Sequence, residues 1–296
     1  MNAWIAGARP RTLPAAIVPV LVGTAAAAGM DGGTGALKGL VVWRFVAALV
    51  VSLALQIGVN YANDYSDGVR GTDDVRVGPM RLVASGTKAA GTVKRAAFVS
   101  FGVAAVAGLA LAAATSWWLI LVGLASIAAA WFYTGGPRPY GYAGFGELFV
   151  FVFFGVVATT GSAFVQIVRI TPLTLAVSIP VGMLAVALLV VNNLRDIPGD
   201  TVAGKRTLAV RLGDKRTRIL YTALMFLPFV VTPFIAGLGG RPIAAFSLFA
   251  VVFVNKPVLK VLQGAKGPAL IPVLGATGRV QLVFGLAFSV GLFIGG

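Results

Sequence analysis

Long apolar blocks, divided by shorter polar stretches, run the length of this chain. Val46–Val59, Ala96–Ala114, Leu148–Val168 and Leu173–Val191 are nearly uninterrupted. A bilayer core of about 30 Å takes roughly 20 apolar residues per helix. The period-two alternation of a transmembrane barrel is missing. The blocks predict nine membrane helices, over 13–30, 41–62, 94–114, 117–133, 147–168, 173–193, 218–237, 243–262 and 279–295. Asn255, Lys256 and Pro257 interrupt the eighth. Two polar connections are long, about 63–93 and 194–217, and they follow the second and sixth helices. The expected fold is therefore all-α: one polytopic membrane bundle spanning 1–296, with the two long connections capping one end.

Composition agrees. Of 296 residues, 58% are hydrophobic and 11% charged, against about 25% charged in soluble domains. No cleavable signal peptide is evident, and the run from Leu13 reads as the first membrane helix. The net charge of +15 would suggest nucleic acid in a soluble protein. Here it marks cytoplasmic loops and contact with anionic lipid, so the expected partner is the bilayer and not nucleic acid. All but four of the 24 Lys and Arg fall on one face of the predicted topology. The exceptions are Lys38, Arg44, Arg169 and Arg241. The positive-inside rule puts the N-terminus and the two long loops in the cytoplasm, and nine spans leave the C-terminus outside. Cysteine and histidine are absent. Thiol catalysis and the usual histidine base are excluded, which leaves carboxylates, amides, basic residues, tyrosines and a hard metal ion.

The nine acids carry the chemical signal, because six of them form two clusters at the cytoplasmic ends of helices. In the first, Asn60, Asn63, Asp64 and Asp67 fall at i, i+3, i+4 and i+7, one stripe of a helix. Asp73 and Asp74 follow Gly68 and Gly71, where the chain can turn back. In the second, Asn192, Asp196 and Asp200 are four apart, with Asn193 beside them. Pro198 predicts a kink or an end to that helix. Like charges at helical spacing repel unless a cation lies between them. Carboxylates and amide oxygens suit magnesium, which binds one or two carboxylates together with substrate phosphates. Arg70, Arg76, Arg81, Lys205 and Arg206 lie in the same loops and suit phosphate. Asn60 and Asn192 read either as ligands or as helix-packing amides.

At these residues the chain resembles the UbiA superfamily of intramembrane aromatic prenyltransferases. Asn63-Asp64-x-x-Asp67 and Asp196-x-x-x-Asp200 match its two motifs. The family's third acid of the first motif falls where this chain has Gly71, so Asp73 or Asp74 must replace it. Four strings are most similar to the branch that prenylates 1,4-dihydroxy-2-naphthoate in menaquinone biosynthesis: Ala8–Ala16, Arg76–Gly86, Tyr133–Tyr140 and Ala203–Gly213. The resemblance implies nine helices around a central cavity and two magnesium ions held by Asn63, Asp64, Asp67, Asp73, Asp196 and Asp200. Asp64, Asp67, Asp196 and Asp200 would be catalytic, and neutralising Asp64 or Asp196 would abolish transfer. The diphosphate of a polyprenyl donor would meet Asn60, Arg70, Arg76, Arg81, Asn192, Asn193, Lys205 and Arg206. Tyr65, Tyr140 and Tyr142, with Arg138 for its carboxylate, would position the aromatic ring. Two other readings stay open at this point: a different acceptor, 4-hydroxybenzoate or homogentisate, and a cation-coupled transporter with intramembrane carboxylates.

Overall fold

The computed structural model describes residues 2–30, 32, 36–72 and 81–296. Helices dominate it. A short α1 (Ala3–Ala8) leads through a 3-10 turn, Pro10–Thr12, into α2 (Pro14–Ala27), with a bend of 51° between the two stretches. Then come α3 (Val42–Val69), α4 (Ala90–Ala114), α5 (Trp118–Phe132), α6 (Gly146–Ile167) and α7 (Pro172–Val202). The last third holds α8 (Leu208–Leu238), a 3-10 segment Pro242–Phe253 bent by 42° onto α9 (Asn255–Leu262), and α10 (Ile271–Gly295). Among the described residues, six helical spans are long and apolar enough to cross a membrane, and up to eight if each bent pair is one span. The shorter α5 is apolar as well. Each predicted segment overlaps one of these, though among the described residues the number that is long enough to span falls short of nine. The chain is a multi-pass membrane protein.

Several helix ends differ from the predicted ones, and for one reason. Hydropathy falls where a helix leaves the hydrocarbon, but backbone hydrogen bonding continues into the interface. The second span runs on to Val69 rather than 62. The sixth runs past Pro198 to Val202 rather than 193. The predicted loop 194–217 thereby shrinks to a connection between Val202 and Leu208, since α8 begins ten residues before the predicted 218. Gly213, at φ 74°, breaks its first turns.

Two packed regions frame the centre. One joins α2, α7, α8 and α10 through Val18, Leu184, Met225, Tyr221, Phe284 and Phe288. The other joins α3, α4 and the 82–83 turn through Tyr61, Leu82, Val93, Ala97 and Phe101. Apolar side chains also face outward, among them Val99, Val106, Trp118, Phe234 and Leu238. That double-sided apolarity suits lipid as the solvent. Between the two regions, α2 lies close against α6: a Cβ on Gly23 would fall 2.0 Å from the carbonyl oxygen of Thr159. Small residues allow this approach in membrane bundles. A π-helical stretch, Phe151–Val157, interrupts α6 and turns Phe153, Phe154 and Val157 into the central cavity.

Candidate active site

The end of α3 supplies the first wall. Gln56, Asn60, Asn63 and Asp67 step along one face at spacings of four, three and four. All four line a cavity of about 1060 Å³. Because α7 stays helical past Pro198, Asn192, Asp196 and Asp200 share a face too, and all three line the same cavity.

Lys205 links the two sets. Its Nζ lies 3.1 Å from Asp67 Oδ1 and 3.9 Å from Asp200 Oδ1. The two carboxylates are thus one small cation apart, although they come from different spans. The backbone fixes this lysine, since its N–H donates to the carbonyl of Asp200 (2.8 Å) and the next N–H donates to that of Tyr142 (2.8 Å). Around Asp67, the hydroxyls of Tyr142 and Thr72 donate to Oδ1, and Arg81 Nη2 lies 3.6 Å from Oδ2. Asp196 accepts two hydrogen bonds from Arg195 (2.7 and 2.8 Å), which also donates to Asn192 (2.9 Å). Asn63 Oδ1 accepts from the Thr134 hydroxyl (2.7 Å).

The tyrosines feel this field. Burial first, then the charge of Asp67 and a hydrogen bond to it, raises the Tyr142 phenol well above its ordinary value. Tyr133 is raised as well, by burial first and then by Glu147, Tyr140, Asp67 and Asp200. Both therefore stay neutral hydrogen-bonding groups across the physiological range.

Beyond the polar end the lining turns apolar, with Leu55, Leu109, Leu124, Phe149, Phe153 and Val157. Five cations line the cavity, Arg9, Arg11, Arg81, Arg195 and Lys205, against three carboxylates, Asp67, Asp196 and Asp200. That excess suits anionic ligands. Among the described residues no three acids gather into a ready-made metal cluster. The donors are nevertheless all hard oxygens, and Lys205 already lies between two of them. Such a set fits magnesium completed by phosphate oxygens and water.

Other expected residues are not brought to the cavity. Asp64 is buried away from it, and its two oxygens accept from the backbone N–H groups of Leu82 (2.9 Å) and Val83 (3.1 Å). Arg70 donates to the carbonyls of Thr134 and Gly136. Tyr65 stacks on Trp131 outside the cavity. Arg138 and Arg206 are exposed and off the lining. Asn60 and Asn193 do line the cavity, but Asn60 donates to the Ala8 carbonyl (2.9 Å) and Asn193 to Glu147 (2.9 Å). Tyr140 lines it as well, with its hydroxyl donating to Ala129 and its ring stacked on Phe149. Asp73, Asp74 and Arg76 lie outside the described residues.

Among the charged and tyrosine residues of the lining, four were not expected from the sequence: Arg9, Arg11, Tyr133 and Arg195. A usable signal existed for the first two. Pro10 and Pro14 mark helix starts, so Arg9 and Arg11 fall in the break just before the first membrane span.

A model of the UbiA prenyltransferase family matches residues 16–269. A 1,4-dihydroxy-2-naphthoate octaprenyltransferase of Mycobacterium tuberculosis is 51% identical over 292 residues, covering 99% of this chain and 97% of its own. The protein of the same name from Escherichia coli is 35% identical over 313 residues, covering 99% and 96%. Among solved structures, a UbiA homologue from Archaeoglobus fulgidus bound to DMAPP and Mg2+ superposes with a TM-score of 0.70 at 16% identity, covering 99% of both chains.

Proposed function

This chain belongs to the UbiA prenyltransferase family, and we propose that it transfers a polyprenyl chain from its diphosphate to 1,4-dihydroxy-2-naphthoate, releasing diphosphate and carbon dioxide. The single observation that carries this reading is the shape and lining of one cavity. Its polar end holds Asp67 and Asp200 on either side of Lys205 with Asp196 on the same lining, and its other end is apolar. A polyprenyl diphosphate has the same division. Its tail gains roughly 0.8 kcal/mol per buried CH₂, and its head needs cations. The names of the relatives support the acceptor.

Asp67, Asp196 and Asp200, with Asn63 and Asn192, would hold magnesium, in two ions as the resemblance implies. Bound there, magnesium supplies charge neutralisation to the leaving diphosphate. The chain's own residues do the rest. Lys205 and Arg81 carry positive charge to where the allylic C–O bond breaks and its electron pair leaves on diphosphate oxygen. The apolar arm keeps water from the allylic cation that results. An electron-rich ring then supplies the pair for the new C–C bond, and its carboxylate departs as carbon dioxide. A carboxylate lost as CO₂ balances the charge gained by diphosphate, so no net proton moves. The lack of histidine is no obstacle to such a reaction. In this reading the N-terminus and the polar end of the cavity face the cytoplasm, and the protein resides in the inner membrane.

Purified protein in lipid nanodiscs, given a polyprenyl diphosphate, dihydroxynaphthoate and magnesium, is expected to form a prenylated, decarboxylated naphthoquinol detectable by mass. Turnover of 4-hydroxybenzoate or homogentisate in its place, with none of the naphthoate, would replace the acceptor assignment.

A further inference from the structure

The Pro10–Thr12 turn is held with unusual care for a surface bend. The hydroxyl of Thr12 accepts from Gln56 Nε2 (3.1 Å) and Asn60 Nδ2 (3.3 Å) and donates to the carbonyl of Arg9 (2.9 Å). Asn60 also donates to the carbonyl of Ala8 (2.9 Å), and the Tyr61 hydroxyl to that of Trp4 (2.9 Å). Gln56 and Asn60 are buried amides on a membrane helix, where such groups are costly without partners. Arg9, at φ 53°, starts the turn in the left-handed region, and Pro10 follows it. Bend and clamp together set Arg9, Pro10, Arg11 and Thr12 on the cavity wall.

Arg11 differs from its cationic neighbours. Lys205 and Arg81 pair with Asp67, and Arg195 pairs with Asp196. Among the described residues the Arg11 guanidinium has no hydrogen bond or ion pair. Arg11 is solvent-exposed at the rim of the cavity it lines, and a cation there without an anion of its own is available to a ligand. Position selects which ligand. Gln56 and Asn60 precede Asp67 on the same face of α3 by eleven and seven residues. At 1.5 Å per residue, the turn is clamped about 10–16 Å along the helix from Asp67. That offset exceeds the span of a diphosphate and matches a diphosphate followed by an allylic carbon and an aromatic ring. Arg138, expected from sequence to meet the acceptor's carboxylate, is exposed and off the cavity.

We propose that Arg11 receives the carboxylate of the aromatic acceptor and so sets the preference for carboxylated rings. The inference rests on the acceptor reading given under Proposed function. The guanidinium fork suits a carboxylate, and the clamp from Gln56 and Asn60 holds the turn that carries it.

The test compares wild type, Arg11→Gln and Arg11→Lys in nanodiscs, with steady-state kinetics on dihydroxynaphthoate, on 1,4-naphthalenediol under reducing conditions, and on the prenyl diphosphate. Arg11→Gln is expected to raise KM for the naphthoate about tenfold or more. It is also expected to collapse the preference for naphthoate over diol while KM for the diphosphate holds. Arg11→Lys should recover part of the preference. A rise in KM for the diphosphate with the naphthoate KM unchanged would assign Arg11 to the donor and overturn the proposal, as would no change in either. If wild type itself prenylates no naphthoate, the acceptor reading fails, and this inference falls with it.

Discussion

Lys205 stands where two acid clusters from distant parts of the chain meet, and its neighbours define the tests at the scale of single residues. An ammonium between Asp67 and Asp200 both neutralises them and offers charge to an incoming phosphate. Replacing Lys205 by Met is therefore expected to lower kcat/KM for the prenyl diphosphate by about 10²-fold, the usual effect of losing one preorganised charge contact, as read by initial rates. Asp67 sits among four donors, so Asp67→Asn should cost at least as much. Tyr142 gives a test in pH. Its phenol is raised above the ordinary value of about 10. The folded state then keeps a proton that the unfolded chain loses, and the stability from this group is present below about pH 10 and declines above it. Thermal melts of Tyr142→Phe should show a shallower decline on the alkaline side than wild type does. Sequence spacing revealed Asp67, Asp196 and Asp200, because helical period alone aligns them. It did not reveal Tyr133, whose importance comes from acids on other elements, or Arg195, which reads as one more basic loop residue until its pairing with Asp196 is seen.

At the scale of elements, Asp64 holds a loop. Its carboxylate takes the N–H groups of Leu82 and Val83 while 1% exposed. Asp64→Ala leaves one buried and one partly buried donor without partners, at about 1–3 kcal/mol for the buried one. The expected outcome is a lowered melting temperature together with weakened donor binding, because Arg81 begins that turn. Spacing put Asp64 on the stripe with Asn63 and Asp67, and its orientation was decided by a loop eighteen residues later. The same limit explains Arg70 and Arg138, since nothing in local spacing says where a side chain beyond a helix end turns, while Tyr65 lies on α3 but off the stripe of Asn60, Asn63 and Asp67 and stacks on Trp131 instead. Pro198, read as a kink or an end, does not end the helix, which runs on to Val202 and keeps Asp200 on the cavity wall with Asp196. Helix contacts offer their own check. Gly23→Ala would drive a Cβ into the Thr159 carbonyl, and overpacking of this kind costs about 1–3 kcal/mol, measurable by thermal unfolding in detergent.

For the whole molecule, the apolar blocks and the basic loops were enough to give a polytopic helical bundle, because the bilayer dictates both. The central cavity was not legible in this way, since its walls need α3, α6 and α7 in three dimensions. The orientation proposed from charge is open to test. The natural chain has no cysteine, so single cysteines at Lys266 and Gly39 can be labelled separately with an impermeant maleimide. Lys266 should react in inside-out vesicles and Gly39 in right-side-out ones. The central claim is that acids from two spans act together, through a divalent cation, on one diphosphate. Titrating magnesium into the chelated enzyme while following prenylated product, for wild type, Asp67→Asn and Asp200→Asn, tests it most directly. Chelated wild type should form no product, and each variant should need at least about tenfold more magnesium for half-maximal rate. Full turnover under chelation, or a half-maximal concentration unmoved by either substitution, would contradict it.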